Sequence, residues 1–144
     1  MEFITCLLRD KGFKVTPQRL AIYTVLANTK VHPSAEMIFS QLQPVYPTMS
    51  LATVYKTIEI LKEIGMVQVL NVGEDSFRYD ANIENHPHIR CMACGRVDDL
   101  EGIEADEFIK GVSNLTSYQV TGQQFYFFGI CPECQTKSKG RLSA

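Results

Sequence analysis

The 144-residue sequence has no tryptophan, no internal repeat and no low-complexity tract. It has no apolar run near the roughly 18 to 20 residues that a membrane-spanning helix needs. Its first residues do not place a basic stretch before an apolar core, as a signal peptide would. No nucleophile–base pair or substrate-pocket motif is visible. We therefore expect a cytoplasmic protein that is neither a membrane protein nor an enzyme.

Charge of either sign is limited, and it is unevenly divided along the chain. The net charge is −2, with 21% charged and 45% hydrophobic residues, which is ordinary globular composition. Residues 1–73 contain seven Lys/Arg and five Asp/Glu, whereas residues 74–144 contain seven Lys/Arg and eleven Asp/Glu. This asymmetry suits a polyanion partner for the front half and cations for the back half. An imbalance of this size is equally common on ordinary solvated surface.

The front half is patterned as four helices followed by two strands. Thr16, Ser34 and Ser50 each precede an apolar-periodic segment, as N-caps do. Two short strands follow, at Met66–Val72 and Phe77–Asp80, with a turn at Gly73–Ser76 between them. This order is that of a winged helix-turn-helix, and it puts the fourth helix, which begins after Ser50, in the recognition position.

The back half, from residue 81, is patterned as a small unit with both helix and strand. A hairpin is predicted at His86–Cys91 and Arg96–Leu100, and further strands at Tyr118–Val120 and Gln124–Ile130. Between them, Ala105–Val112 is predicted as a helix, with three residues facing inward: Phe108, Ile109 and Val112. The fold class is therefore α+β, with a winged-helix domain at 1–80 and a small α/β domain at 81–144.

Five cysteines provide the most specific pattern in the chain. Four form two CxxC pairs, Cys91/Cys94 and Cys131/Cys134, and Cys6 remains. Four thiolates complete the tetrahedral coordination shell of a structural Zn²⁺, and the ion would link the last strand to the first hairpin. Free thiols in turns, or a redox pair, are the alternatives. Cys6 is expected to be a buried thiol on an apolar helical face.

Histidines and aspartates suggest a second, unlike site. His86 and His88 are two apart in a predicted strand, so their imidazoles share one face. Asp80, Asp99 and His32 are further candidates. Imidazole and carboxylate donors suit Fe²⁺, Mn²⁺ or Zn²⁺. Taken alone, an HxH pattern more often consists of surface histidines, or of core histidines with satisfied hydrogen bonds, than of metal ligands.

Polar residues on the fourth helix form a candidate DNA face. Hydroxyls of Ser50 and Thr53, together with Lys56, can reach phosphates or base edges, and Tyr55 can pack on a thymine methyl. Arg19 lies at the start of the second helix, where its side chain can bind a phosphate. The alternative is that these are ordinary surface residues, since helix-turn-helix sequence patterns often give false positives.

These motifs together resemble the ferric uptake regulator (Fur) family. The resemblance covers about residues 10 to 135 and rests on four runs: Thr16–Arg19, Ser50–Tyr55, HxHxxCxxCG from His86 to Gly95, and GxCxxC from Gly129 to Cys134. It implies a metal-responsive repressor with an N-terminal winged helix and a C-terminal dimerisation domain. Such a protein binds palindromic operator DNA as a homodimer.

The resemblance also implies roles for individual residues. It assigns structural zinc to Cys91, Cys94, Cys131 and Cys134, and DNA contact most securely to Arg19 and Tyr55. It assigns a regulatory Fe²⁺ or Mn²⁺ to a set drawn from both domains: His32, Asp80, His86, His88 and Asp99.

The aspartates at positions 80 and 99 are similar to those of the peroxide-sensing, PerR-like branch, because iron-sensing members commonly have glutamate there. In that branch, H₂O₂ is the small molecule sensed, and its reaction with bound iron oxidises His32 or His86. An iron-responsive repressor of uptake genes is the alternative. A constitutive zinc-stabilised DNA-binding module is a further one, and a hydrolytic or superoxide-reacting metalloenzyme is the least favoured.

Overall fold

The computed structural model describes residues 1–73, 77–104 and 106–142, with side chains to residue 137. Two compact units divide the chain, Met1–Ile83 and Glu84–Ala144. The middle of the predicted turn, residues 74–76, and Ala105, the predicted first residue of the back-half helix, lie outside the described residues. Within the described residues, no helix has both the length and the hydropathy to cross a bilayer.

Four helices build most of the first unit: α1 Glu2–Asp10, α2 Pro17–Ala27, α3 Ala35–Leu42 and α4 Leu51–Glu63. Side-chain caps begin the last three, as predicted. The hydroxyl oxygen of Thr16 accepts from the Arg19 N–H at 3.2 Å, and Ser34 and Ser50 do the same for the third residue of α3 and α4. Each such cap is worth about 1 kcal/mol of helix stability.

A two-stranded wing follows the helices. Strands β1 Gln68–Leu70 and β2 Arg78–Asp80 pair antiparallel, with Gln68 opposite Asp80. The core of the unit consists of apolar side chains from all four helices and the wing, including Leu8, Ile22, Ile38, Val54, Leu61 and Val67. Packing of α3 and α2 against α4 places the N-terminal turns of α4 at the surface, where a recognition helix needs them.

The second unit is a three-stranded sheet with two helices. Its strands are β3 His88–Cys91, β4 Val97–Asp99 and β5 Tyr126–Gly129, in the order β4-β3-β5. β3 pairs antiparallel with β4 and parallel with β5. The helices are α5 Asp106–Ser113 and α6 Pro132–Leu142. The predicted α+β class with a winged helix-turn-helix is confirmed.

Several local predictions are wrong. Cys6 is exposed, because Ile4 and Leu8 take the inward face of α1. Residues 118–120 form no strand, and Tyr118 is 82% exposed. Phe108 and Val112 on α5 are exposed, so only Ile109 of the predicted inward set is partly covered. Helix α6 was not predicted, although Pro132 suits the first position of a helix.

One buried hydroxyl in α4 offers a test of the packing. Thr57 is fully buried, and its Oγ1 finds no hydrogen-bond partner within residues 1–73, 77–104 and 106–142. We expect Thr57→Val to raise the free energy of unfolding by about 1 kcal/mol, because an unsatisfied buried hydroxyl costs that much or more. Urea unfolding followed by circular dichroism measures the change.

The matched control is Thr24→Val in α2. The Thr24 hydroxyl donates to the Leu20 carbonyl at 2.8 Å, so its removal should lower stability or leave it unchanged. Equal effects of the two substitutions would contradict the assignment of Thr57 as unsatisfied.

Candidate metal centres and nucleic-acid interface

The two cysteine pairs lie on adjoining ends of the sheet and α6. Cys91 ends β3, Cys94 follows in the turn, and Cys131 and Cys134 flank the start of α6. The turn is closed by the Gly95 N–H, which donates to the Cys91 carbonyl at 2.9 Å. Gly95 has a φ of +79°, a left-handed conformation that glycine adopts without strain.

The four sulfurs form one cluster that fits a tetrahedral metal ion. All lie within 4.8 Å of one another, and Cys94 Sγ is 3.8 Å from Cys131 Sγ. Ligands about 2.3 Å from one Zn²⁺ in tetrahedral geometry are about 3.8 Å apart. None of the five cysteines forms a disulfide. The cluster therefore suits a structural zinc ion.

The protonation of these thiols also favours a shared cation. The pKa of Cys91 falls to about 6, because the backbone N–H groups of Cys131 and Cys94 point to its sulfur. The Cys131 N–H lies 3.3 Å from that sulfur. The pKa of Cys134 rises to about 12, first through its contact with Cys131. Four thiolates in one cluster repel one another, and a divalent cation removes that repulsion.

An ion-pair bridge supports the same end of the unit. Arg96 Nε lies 2.8 Å from Asp98 on β4, and Arg96 Nη1 lies 3.2 Å from Glu133 in the first turn of α6. The bridge joins the start of α6 to β4 beside the cysteines. It holds the second cysteine pair near the first, although exposed pairs of this kind are individually weak.

In the first unit, His32 and Asp80 make a buried pair. His32 Nδ1 lies 3.7 Å from Asp80 Oδ2, and His32 is 2% exposed. His32 has a φ of +50°, a conformation that costs a residue other than glycine on the order of 1–3 kcal/mol. The Arg78 Nη1 donates to the His32 carbonyl at 3.2 Å, and the Tyr79 N–H donates to the Pro33 carbonyl. The wing therefore holds this histidine in its unusual conformation.

In the second unit, two histidines converge on one carboxylate oxygen. His86 Nε2 lies 2.8 Å and His88 Nε2 3.2 Å from Asp99 Oδ1. The strand register places His88 opposite Asp99, and the two imidazole centroids are 4.4 Å apart. Donors bound about 2.1 Å from an octahedral ion are about 3 Å apart. Imidazole and carboxylate donors at this spacing suit Fe²⁺ or Mn²⁺.

The predicted DNA-contacting residues Arg19 and Thr53 line one groove of about 530 Å³, with Thr16, Pro17, Gln18 and Tyr46. Arg19 Nη1 donates to the Lys14 carbonyl at 2.7 Å. The hydroxyls of Ser50 and Thr53 lie 2.9 Å apart. Helix packing thus brings the N-terminal ends of α2 and α4 to the same surface.

The remaining two predicted DNA-contacting residues, Tyr55 and Lys56, lie further along α4. Tyr55 is 40% exposed and Lys56 is exposed. The Tyr55 hydroxyl does not point freely to solvent, because it donates to Glu36 Oε1 at 2.6 Å. Glu36 lies in the first turn of α3 and was not among the predicted site residues. No pattern in the sequence signals this contact, since the two residues are 19 apart and on different helices.

Comparison with known proteins identifies the family of the chain. The profile of the ferric uptake regulator family matches residues 10–128. The chain belongs to the ferric uptake regulator family. It is 51% identical to "Transcriptional regulator PerR" of Clostridium acetobutylicum over 138 residues, which cover 96% of this chain and 100% of that one. It is 38% identical to "Peroxide-responsive repressor PerR" of Staphylococcus aureus strain Mu50, over 90% of this chain and 88% of that one.

A solved structure of the ferric uptake regulator Fur from Helicobacter pylori has the same fold. The TM-score is 0.78 at 24% identity, over 93% of this chain and 90% of that one. That structure is described as having three functional metal-binding sites. For the present Fur-family chain, the comparison supports the fold.

Removal of one cluster thiol should unload the structural zinc. We expect Cys94→Ser to abolish stoichiometric zinc and to unfold most of the second unit, because a structural zinc site contributes about 10 kcal/mol or more to folding. Zinc per chain is measured by atomic emission, and the loss of structure by far-UV circular dichroism.

Cys6→Ser is the matched control for this Fur-family chain, since Cys6 lies on α1, outside the cluster. It should retain one zinc per chain and native secondary structure. A full equivalent of zinc in folded Cys94→Ser protein would contradict the four-thiolate site.

Proposed function

We propose that this protein is a metal-dependent, peroxide-responsive transcriptional repressor that acts in the cytoplasm and not as an enzyme. The observation that carries the proposal is the convergence of His86 and His88 on one oxygen of Asp99. That donor set stands apart from the all-thiolate cluster, so a chain with both can keep a resident zinc and exchange a second ion. The similarity to proteins named PerR supports the peroxide response.

The regulatory ion in this proposal takes ligands from both units. His32 and Asp80 contribute from the first unit, and His86, His88 and Asp99 from the second. A ligand set divided in this way makes metal affinity depend on how the two units are arranged. A nearly complete shift between two arrangements requires about 5 kcal/mol of differential affinity, which metal binding readily supplies.

The surfaces of the two domains support a separate role for each in this proposal. Residues 1–80 read DNA through α4 and Arg19, and residues 81–144 form the homodimer. Exposed apolar side chains support the second role, since the second unit presents Phe108, Val112, Leu115, Phe127 and Phe128 to solvent. A two-fold dimer with recognition helices one duplex turn apart would bind a palindromic operator.

Neighbouring aspartates on β4 provide a direct test. Asp98 and Asp99 are successive strand residues, so their side chains face opposite sides of the sheet. We expect Asp99→Asn to lower Mn²⁺-dependent operator affinity at least tenfold, because a neutral amide replaces the charged oxygen shared by both imidazoles. Fluorescence anisotropy measures this, with a duplex selected from a random pool by the Mn²⁺-loaded wild type.

The control Asp98→Asn should retain Mn²⁺-dependent binding, since Asp98 contacts Arg96 and neither histidine. Both variants should keep their zinc. Unchanged operator affinity in Asp99→Asn protein would overturn the regulatory site. Binding by wild type without Mn²⁺ or Fe²⁺ would favour a constitutive zinc-stabilised module.

The peroxide response has its own readout. Bound Fe²⁺ would supply one-electron reduction of H₂O₂, which Mn²⁺ does not readily supply. We expect peroxide treatment of Fe²⁺-loaded protein to add one oxygen atom to His32 or His86 and to release operator DNA, because an oxidised imidazole is a poorer ligand. Tryptic mass spectrometry locates the oxygen.

Protein loaded with Mn²⁺ is the matched control and should stay unmodified and bound to DNA. If the Fe²⁺ form also keeps both histidines intact and remains on the operator, the iron-responsive alternative replaces the peroxide sensor.

A further inference from the structure

Contacts of the Tyr55 side chain limit what it can offer to DNA. Tyr55 is the fifth residue of α4, in the N-terminal part of a recognition helix that faces base edges. Its hydroxyl donates to Glu36 Oε1 at 2.6 Å, the short distance typical of a hydrogen bond to an ionised carboxylate. With the hydroxyl proton engaged by Glu36, the rest of this 40% exposed side chain is an apolar ring.

The acceptor lies at the start of a helix. Glu36 lies in the first turn of α3, between the buried Ala35 and an exposed Met37 whose sulfur lies 3.4 Å from the Ser34 N–H. The pKa of Glu36 is lowered, first by the Tyr55 hydroxyl and then by its own backbone N–H, with a smaller contribution from the Ser34 side chain. A carboxylate at a helix N-terminus is also favoured by the helix dipole. The anchor therefore belongs to α3 and stays ionised.

The proton stays on the tyrosine. Contact with Glu36 raises the pKa of Tyr55 to about 12. The hydrogen bond therefore has one direction: the Tyr55 phenol donates and the Glu36 carboxylate accepts. A carboxylate near a DNA-reading surface repels phosphate.

We propose that Glu36 is a positioning residue for operator recognition: it holds Tyr55 so that the ring, and not the hydroxyl, meets the bases. This inference rests on the proposed DNA-binding function. An apolar ring fixed in the major groove distinguishes thymine by its methyl group, whereas a free phenol would also bond to phosphates at any sequence. Glu36 thereby raises the preference for the operator over other DNA.

A double-mutant cycle between Glu36 and Tyr55 tests the proposal in the full-length, zinc- and Mn²⁺-loaded protein. The probes are the duplex selected by wild type and a scrambled duplex of equal composition. Glu36→Ala should weaken operator binding about three- to tenfold, the equivalent of one hydrogen bond, without weakening binding to the scrambled duplex. Glu36→Gln, whose amide oxygen still accepts from Tyr55, should restore most of the operator affinity.

Tyr55→Phe should lose as much operator affinity as Glu36→Ala, and the double variant should lose no more than either one. Ultraviolet titration should show the phenol of Tyr55 ionising at lower pH in Glu36→Ala protein, which a merely structural effect on α3 would not produce.

Two results would overturn the proposal. One is that Glu36→Ala tightens binding to both duplexes equally, which would reduce Glu36 to a repelling charge. The other is that Tyr55→Phe weakens operator binding in the Glu36→Ala background, which would mean that the hydroxyl itself contacts DNA. Failure of wild type to bind any selected duplex would instead refute the proposed function.

Discussion

Four sulfurs from two distant segments converge at one end of the second unit, where a shared cation would link β3 to the start of α6. β3 carries Cys91 at one end and His88 at the other, and β4 carries Asp99 opposite His88. β3 therefore carries a ligand of the cysteine cluster at one end and a member of the second set of metal donors at the other.

The two sets of donors differ in the chemistry that they favour. Thiolates form a closed tetrahedral shell that keeps zinc and leaves no open position. Imidazole nitrogens and carboxylate oxygens bind harder ions that exchange more readily. A protein with both can fold around one ion and respond to another. Arg78 and the wing stabilise the strained backbone of His32. Such strain is more typical of a residue that binds a metal than of one that only packs in the core.

Local signals along the chain predicted much of the fold. Caps at Thr16, Ser34 and Ser50 marked the starts of α2, α3 and α4, because capping is decided by neighbours in sequence. Residues 118–120 were predicted wrongly as a strand, and α6 was not predicted. The assignment of DNA reading to 1–80 and dimerisation to 81–144 stays a prediction.

The sequence by itself determined the kinds of metal donor and their grouping, because CxxC in a turn and HxH in extended backbone bring neighbouring side chains together. Only the tertiary structure decided which distant partners meet. Asp99 meets His88 through strand register, and Tyr55 meets Glu36 through the packing of α3 on α4. Such contacts depend on how elements are oriented in space, and spacing along the chain carries no record of that orientation.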